Sequence, residues 1–241
     1  MGQKCTGIVL SVFPYNDKTY FVHIYSDLFG RVTYKIPASK SKKANVRRSL
    51  FMPFSVLEME VEHIPGRDIQ KIIEVSPFSI KHSLLTDPVK SALAMFLAEV
   101  LSKTIREQEQ NLPLFNFIND SIELLQLTDS GVANFHILFL TSLSKYLGFM
   151  INSETYKINY MLDMIEGEFV INAPMHPYYL DKNNSRLIFN VLNMNFSNMD
   201  TYKFSRTQRN LILDQLLYFF KLHIPDLKEI KSLNVLKELF I

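Results

Sequence analysis

The sequence predicts an α+β protein of more than one domain, with an all-strand N-terminal third and a mostly helical remainder. Three observations carry this. Up to about residue 76, apolar and polar residues alternate in short runs, the period of a strand with one buried face. From Pro88 the apolar spacing changes to three and four, the period of an amphipathic helix. The 241 residues are 47% apolar and 21% charged, enough to bury a sizeable core without staples.

The first strand is "TGIVLSVFPY", expected to end at Pro14. In "KTYFVHIYS", Tyr20, Val22 and Ile24 share one face, and Phe21, His23 and Tyr25 the other. "GRVTYKIP" sets Val32, Tyr34 and Ile36 against Arg31, Thr33 and Lys35. "FSVLEMEVEH" sets Leu57, Met59 and Val61 against Glu58, Glu60 and Glu62, and "DIQKIIEVS" closes the set. Five short strands in about 75 residues suit a small closed barrel of the OB type, a fold that commonly holds oligonucleotides. Its widest gap, residues 37–53, lies between the third and fourth strands.

The helical part opens with Asp87 as N-cap and Pro88 at the first position of "PVKSALAMFLAEVLSKTIREQEQ". "LFNFINDSIELLQL" and "VANFHILFLTSLSKYLGF" continue the helical spacing, the latter ending near Gly148. Residues 150–200 are rich in Asn, Tyr and Met, with weak periodicity and a hairpin expected at Glu166-Gly167. Ser205 and Gln208 form a capping-box pattern at the head of a last long helix that runs to Pro225. The expected division is therefore residues 1–78, a nucleic-acid-binding barrel, and residues 79–241, a helical domain with a small irregular insertion around 150–200.

Charge is unevenly spread. Residues 1–50 hold nine Lys or Arg against Asp17 and Asp27, a balance of +7 in a chain whose net charge is +2. Five of those cations fall in "SKSKKANVRRSL", residues 39–50, which contains no acid. A solvated loop explains such a run by itself; what favours an anionic partner is its setting. Arg31 and Lys35 share the strand face that leads into it, and Tyr20, Phe21, Tyr25, Phe29 and Tyr34 lie in the same barrel. Cations that neutralise phosphates, beside rings on which bases stack, are how single strands are held without sequence readout.

Other chemistries lack their residues. The six histidines are scattered, with no His-x-x-x-His pair, and the single cysteine, Cys5, reads as a small buried hydrophobe that excludes an internal disulfide. There is no phosphate-binding glycine loop, no dinucleotide fingerprint and no nucleophile elbow. No catalytic residue, metal or cofactor is expected.

In order along the chain, "TGIVLSVFPYND", "YSDLFGRVTYKIP", "SKSKKANVRRSLFMPFSVLEMEV", "KSALAMFLAEVLSKTIREQEQNLPLFNFI", "ANFHILFLTSLSKYLGF", "LDMIEGEFV" and "SLNVLKELF" resemble the bacterial DNA-repair and recombination mediator family RecO. The resemblance covers essentially the whole chain. It implies an OB barrel, a helical second domain and no turnover of a small molecule. It also implies binding of single- and double-stranded DNA, annealing of complementary strands and partnership with RecR. Family members engage the acidic C-terminal tail of single-stranded-DNA-binding protein and help RecA load, which implies a cytoplasmic, nucleoid-associated protein.

On this resemblance the DNA-binding role falls on Arg31, Lys35, Lys40, Lys42, Lys43, Arg47 and Arg48. The tail needs an apolar pocket with a cationic rim, for which Lys90, Lys103, Arg106 and Lys145 are the candidates. One departure is plain: many relatives carry a four-cysteine zinc finger after the segment matching "LGF", and residues 149–200 here contain no cysteine. Packing of Phe149, Tyr160, Phe169, Tyr178 and Tyr179 is expected in its place. Two other readings stay open, a protein-interaction adaptor and a general single-stranded nucleic-acid-binding barrel.

Overall fold

The computed structural model describes residues 2–38, 48–78 and 83–239. Five strands, β1 (Gln3–Asn16), β2 (Thr19–Ser26), β3 (Gly30–Pro37), β4 (Val56–Glu62) and β5 (Ile69–Pro77), close into a barrel in the order β1-β2-β3-β5-β4. All neighbours are antiparallel except β3 and β5. The alternation read from sequence places the barrel interior: Val22, Ile24, Val32, Tyr34, Ile36, Leu57, Met59 and Val61 form one buried cluster, to which Cys5 belongs. Burial pushes the Cys5 thiol up to about 11, so it stays protonated at neutral pH.

Two details differ from expectation. The first strand does not stop at Pro14 but pairs on to Asn16, with an irregularity in register between the two. Tyr25, on the strand face it shares with Phe21 and His23 and turned away from the barrel interior, is nevertheless 1% exposed, because residues from beyond the barrel cover it.

Beyond the barrel come the helices α1 (Ser83–Thr86), α2 (Pro88–Thr104) and α3 (Leu112–Leu127), and Phe115 on α3 lies against the Tyr25 ring at 6.3 Å. Asp87 caps α2 as the sequence indicates, accepting from the backbone N–H groups of Val89 and Lys90. The helix then ends at Thr104, six residues short of the expected end. Residues 105–111 run instead as a strap along the outside of β3: the Arg31 N–H donates to the Glu107 carbonyl (2.9 Å), and the Gln110 amide donates to the Asp27 carbonyl (3.1 Å). Gly30, at φ +61°, makes room for this strap; a Cβ there would lie 2.3 Å from the Glu109 carbonyl oxygen.

The molecule divides into two compact units, and the division does not follow the strand-to-helix change. Met1–Leu127 and Ile230–Leu236 form the first, so α1 to α3 belong with the barrel. Within it, Glu99 on α2 accepts from the backbone N–H groups of Lys231 (2.9 Å) and Ser232 (2.8 Å) and pairs with Lys103. Burial alone would raise the Glu99 carboxyl, but these hydrogen bonds override it and hold the group down at about 2.

The second unit, Thr128–Glu229 with Lys237–Ile241, contains α4 (Phe135–Tyr146), a three-stranded sheet of β6 (Met161–Asp163), β7 (Glu168–Val170) and β8 (Tyr179–Leu180), α5 (Lys182–Leu192) and α6 (Arg206–His223). A final helix, α7 (Leu233–Leu239), follows. The expected hairpin is β6–β7, with Gly167 at φ +70°, and the capping box of Ser205 and Gln208 opens α6. In place of a metal, the small sheet is held by rings and one carboxylate. Tyr156 stacks on Phe189 at 3.8 Å, and Phe169 meets both edge-on. Asp163 accepts from the N–H groups of Ile165 and Glu166 and faces His176 Nε2 at 3.2 Å. Phe149 packs on Phe219, Phe220 and His223, whereas Tyr178 and Tyr179 stand at the surface. With no cysteine in this region, its residues do not fit a four-thiolate zinc site, and no group of three His, Cys, Asp or Glu gathers among the described residues.

Candidate nucleic-acid interface

The outer face of β1, β2 and β3 is graded, and the grading follows from pairing register. Residues directly opposite one another in a ladder share a face. One row, Ile8–Tyr25–Arg31, lies under the strap and the helices. Tyr25 reaches the Asn111 carbonyl (3.5 Å), and Arg31 Nη1 donates to the carbonyls of Ser102 (2.7 Å) and Ile105 (2.6 Å). These are carbonyls of the last turn of α2 and its C-cap, which have no partner within the helix. A cation there also suits the negative end of the helix dipole.

The next row, Ser11–His23–Thr33, is polar. Arg31 Nη2 lies 3.1 Å from His23 Nδ1, and Ser11 Oγ lies 3.0 Å from the same nitrogen. A guanidinium only donates, so Nδ1 is the acceptor and the ring is the neutral Nε2–H tautomer. Burial, then the Arg31 charge, lowers the His23 pKa to about 4.

The third row is open. Phe13 on β1, Phe21 on β2, Lys35 on β3 and Lys71 on β5 pair successively, and Glu62 on β4 ends the row. Phe13 is 38% exposed and meets Phe21 edge-on at 5.9 Å; Tyr15 is 64% exposed, with its ring 4.6 Å from Phe21. Lys35 and Lys71 are exposed.

Of the seven cations expected to bind DNA, the structure thus separates two that share a face: Arg31 is tied to α2, and Lys35 stands in the open row. Arg48, the last cation of the basic run, lies over the Tyr20 ring at 4.1 Å. Lys40, Lys42, Lys43 and Arg47 fall outside the described residues. Among the expected platforms, Tyr25 and Tyr34 are buried and Phe29 stacks on His63 at 4.1 Å. Sequence reasoning missed Phe13, Tyr15 and Lys71. The signal was there: "FPYNDKTYF" is a hairpin whose register sets Phe13 opposite Phe21.

The candidate tail-binding rims are also partly engaged. Lys90 is 5% exposed and donates to the Gln126 carbonyl (3.0 Å), and Lys103 pairs with Glu99. An apolar cavity of about 370 Å³ is lined by Met52, Phe54, Leu57, Phe78, Met95 and Ile122, and neither lysine lines it. Its only charged lining group among the described residues is Glu123, the wrong sign for an acidic peptide. No helix among the described residues is long and apolar enough to cross a membrane.

Fold and surface define an OB-barrel protein with an appended helical body and an outer barrel face that carries rings and cations. The comparison with known proteins is more specific. Residues 1–80 match the family model for the recombination protein O N terminal, and residues 85–233 match that for its C terminal. The chain belongs to the RecO family. It is 38% identical over 241 residues to a DNA repair protein RecO from Bacteroides fragilis, spanning the whole of both chains. It is 36% identical to the protein of that name from Azobacteroides pseudotrichonymphae and 30% identical to that from Flavobacterium psychrophilum, each over 98% of both chains.

Proposed function

We propose that this protein is a mediator of DNA repair and homologous recombination. It binds single- and double-stranded DNA, anneals complementary strands and, with RecR, helps RecA load onto DNA coated by single-stranded-DNA-binding protein. Full-length membership of the RecO family carries this reading. Its chemical support is the +7 balance of residues 1–50, in the part of the sequence that also supplies the first three strands of a barrel of the type that commonly holds oligonucleotides.

The mechanism needs no bond to be made or broken. Two complementary strands repel through their phosphates; a surface that neutralises both at once lowers that repulsion and raises the rate at which bases meet. Lys35, Lys40, Lys42, Lys43, Arg47 and Arg48 supply the charge. Arg31 contributes by holding β3 against α2, so that Lys35 is presented from a fixed strand.

The test is fluorescence anisotropy of labelled single-stranded DNA across a salt series. Affinity falls with a slope of about 0.7 per neutralised phosphate. Replacing Lys42, Lys43, Arg47 and Arg48 by Ala weakens binding to all sequences alike and flattens that slope, while the far-UV circular dichroism is unchanged. Binding to RecR that persists in a wild type unable to bind DNA at low salt would replace the mediator reading with that of an adaptor.

A further inference from the structure

We propose that Phe13, Tyr15 and Phe21, at the β1–β2 hairpin, form a base-stacking platform that makes the barrel selective for unpaired strands. The inference rests on the DNA-binding reading above and assigns its strand preference. Three aromatic rings meet on one outer face, two of them well exposed, at a hairpin that the described helices leave uncovered. Leaving such rings in water is unfavourable unless something covers them. The charge beside them selects the occupant. Lys35 sits directly opposite Phe21 in the ladder and Lys71 directly opposite Lys35, so the row runs from two rings on β1 and β2 to two cations on β3 and β5. A nucleic-acid strand presents the complementary pattern, base faces on one side and phosphates on the other. A duplex hides its base faces and cannot use the rings.

The arrangement also fits annealing. Stacking takes a base by its face and leaves its pairing edge free for a complementary strand. Phe13 further contacts the His23 ring at 5.0 Å, and His23 is hydrogen-bonded to Arg31, so the platform is braced by the polar row behind it.

The experiment compares three labelled ligands of equal length on the full chain: oligothymidylate, an abasic strand and a duplex. Wild type binds oligothymidylate more tightly than the abasic strand. A Phe13→Ala/Tyr15→Ala double variant loses about tenfold or more in oligothymidylate affinity, while abasic-strand affinity and salt slope stay as in wild type. Phe13→Tyr/Tyr15→Phe, which keeps both rings, retains the preference. The chain contains no tryptophan, so Tyr15→Trp provides a single reporter whose fluorescence oligothymidylate quenches and the abasic strand does not.

If the Ala pair melts below wild type, the ring-keeping pair and the quenching still decide the matter. Equal losses for oligothymidylate and the abasic strand, or none for either, overturn the platform and leave phosphate binding standing. A wild type that binds none of the three ligands overturns the DNA-binding reading itself.

Discussion

Arg31 and Lys35 are four residues apart on one strand face, carry the same charge and have opposite fates. What divides them is residues 102–107, some seventy positions away in sequence, which settle over Arg31 and stop short of Lys35. Arg31→Ala would leave the last carbonyls of α2 without donors in a half-buried place, at a cost of about 2–4 kcal/mol in urea unfolding. Lys in its place recovers only part, because one ammonium cannot reproduce the fork that reaches Ser102, Ile105 and His23 together. Lys35→Ala has the reverse profile: stability within about 0.5 kcal/mol of wild type, and DNA affinity reduced with the salt slope lowered by about 0.7. Should Arg31→Ala melt like wild type and Lys35→Ala melt early, the division drawn between them is wrong.

Between elements, the strap of residues 105–111 is the feature that period and propensity did not reveal. Its "IREQEQ" is made of residues a helix accepts, and tertiary bonds to Asp27 and Arg31 draw it out along β3. The barrel strands were legible because alternation is imposed locally by a buried face: β3 matches "GRVTYKIP" residue for residue. The helix α5 was not, since "KNNSRLIFNVL" offers only about three turns within an Asn-rich stretch. Its Asp181 cap, accepting from Asn183 and Asn184, was the signal available. For the site, the basic run was visible in sequence, but which rings face outward depends on cover from α2 and α3. Gly30→Ala tests the strap directly. Both the positive φ and the 2.3 Å approach to Glu109 forbid a Cβ, so the substitution costs about 1–3 kcal/mol. It also speeds hydrogen exchange at the Arg31 amide, which the Glu107 carbonyl protects. Unchanged exchange at that amide would mean the strap is not held there.

Over the whole molecule, the two compact units share one electrostatic weakness, a histidine kept neutral by its surroundings. In the first unit it is His23, with Arg31 and Ser11 against Nδ1. In the second it is His136, 2% exposed, where burial and then Arg209 lower the pKa to about 3. An unfolded histidine takes its proton near pH 6.5, whereas the folded ones refuse it until about pH 4 and about pH 3. Stability is therefore fully present above pH 6.5 and is lost as pH falls toward those values, because the unfolded chain binds the extra protons. By pH 5 each site contributes a loss of about 1–2 kcal/mol, less for His23, which solvent partly reaches. Urea midpoints measured from pH 7.5 down to pH 4.5 (bracketing the ~6.5 of a free histidine) should drop steadily in wild type. His23→Gln, whose side-chain oxygen still accepts from Arg31, should flatten the drop reported by probes in the barrel, and His136→Gln the drop reported by probes in the second unit. A wild-type midpoint that holds constant across this range would show that both rings are protonated as readily folded as unfolded. The acceptor role assigned to His23 Nδ1, and with it the brace behind the hairpin, would then have to be abandoned.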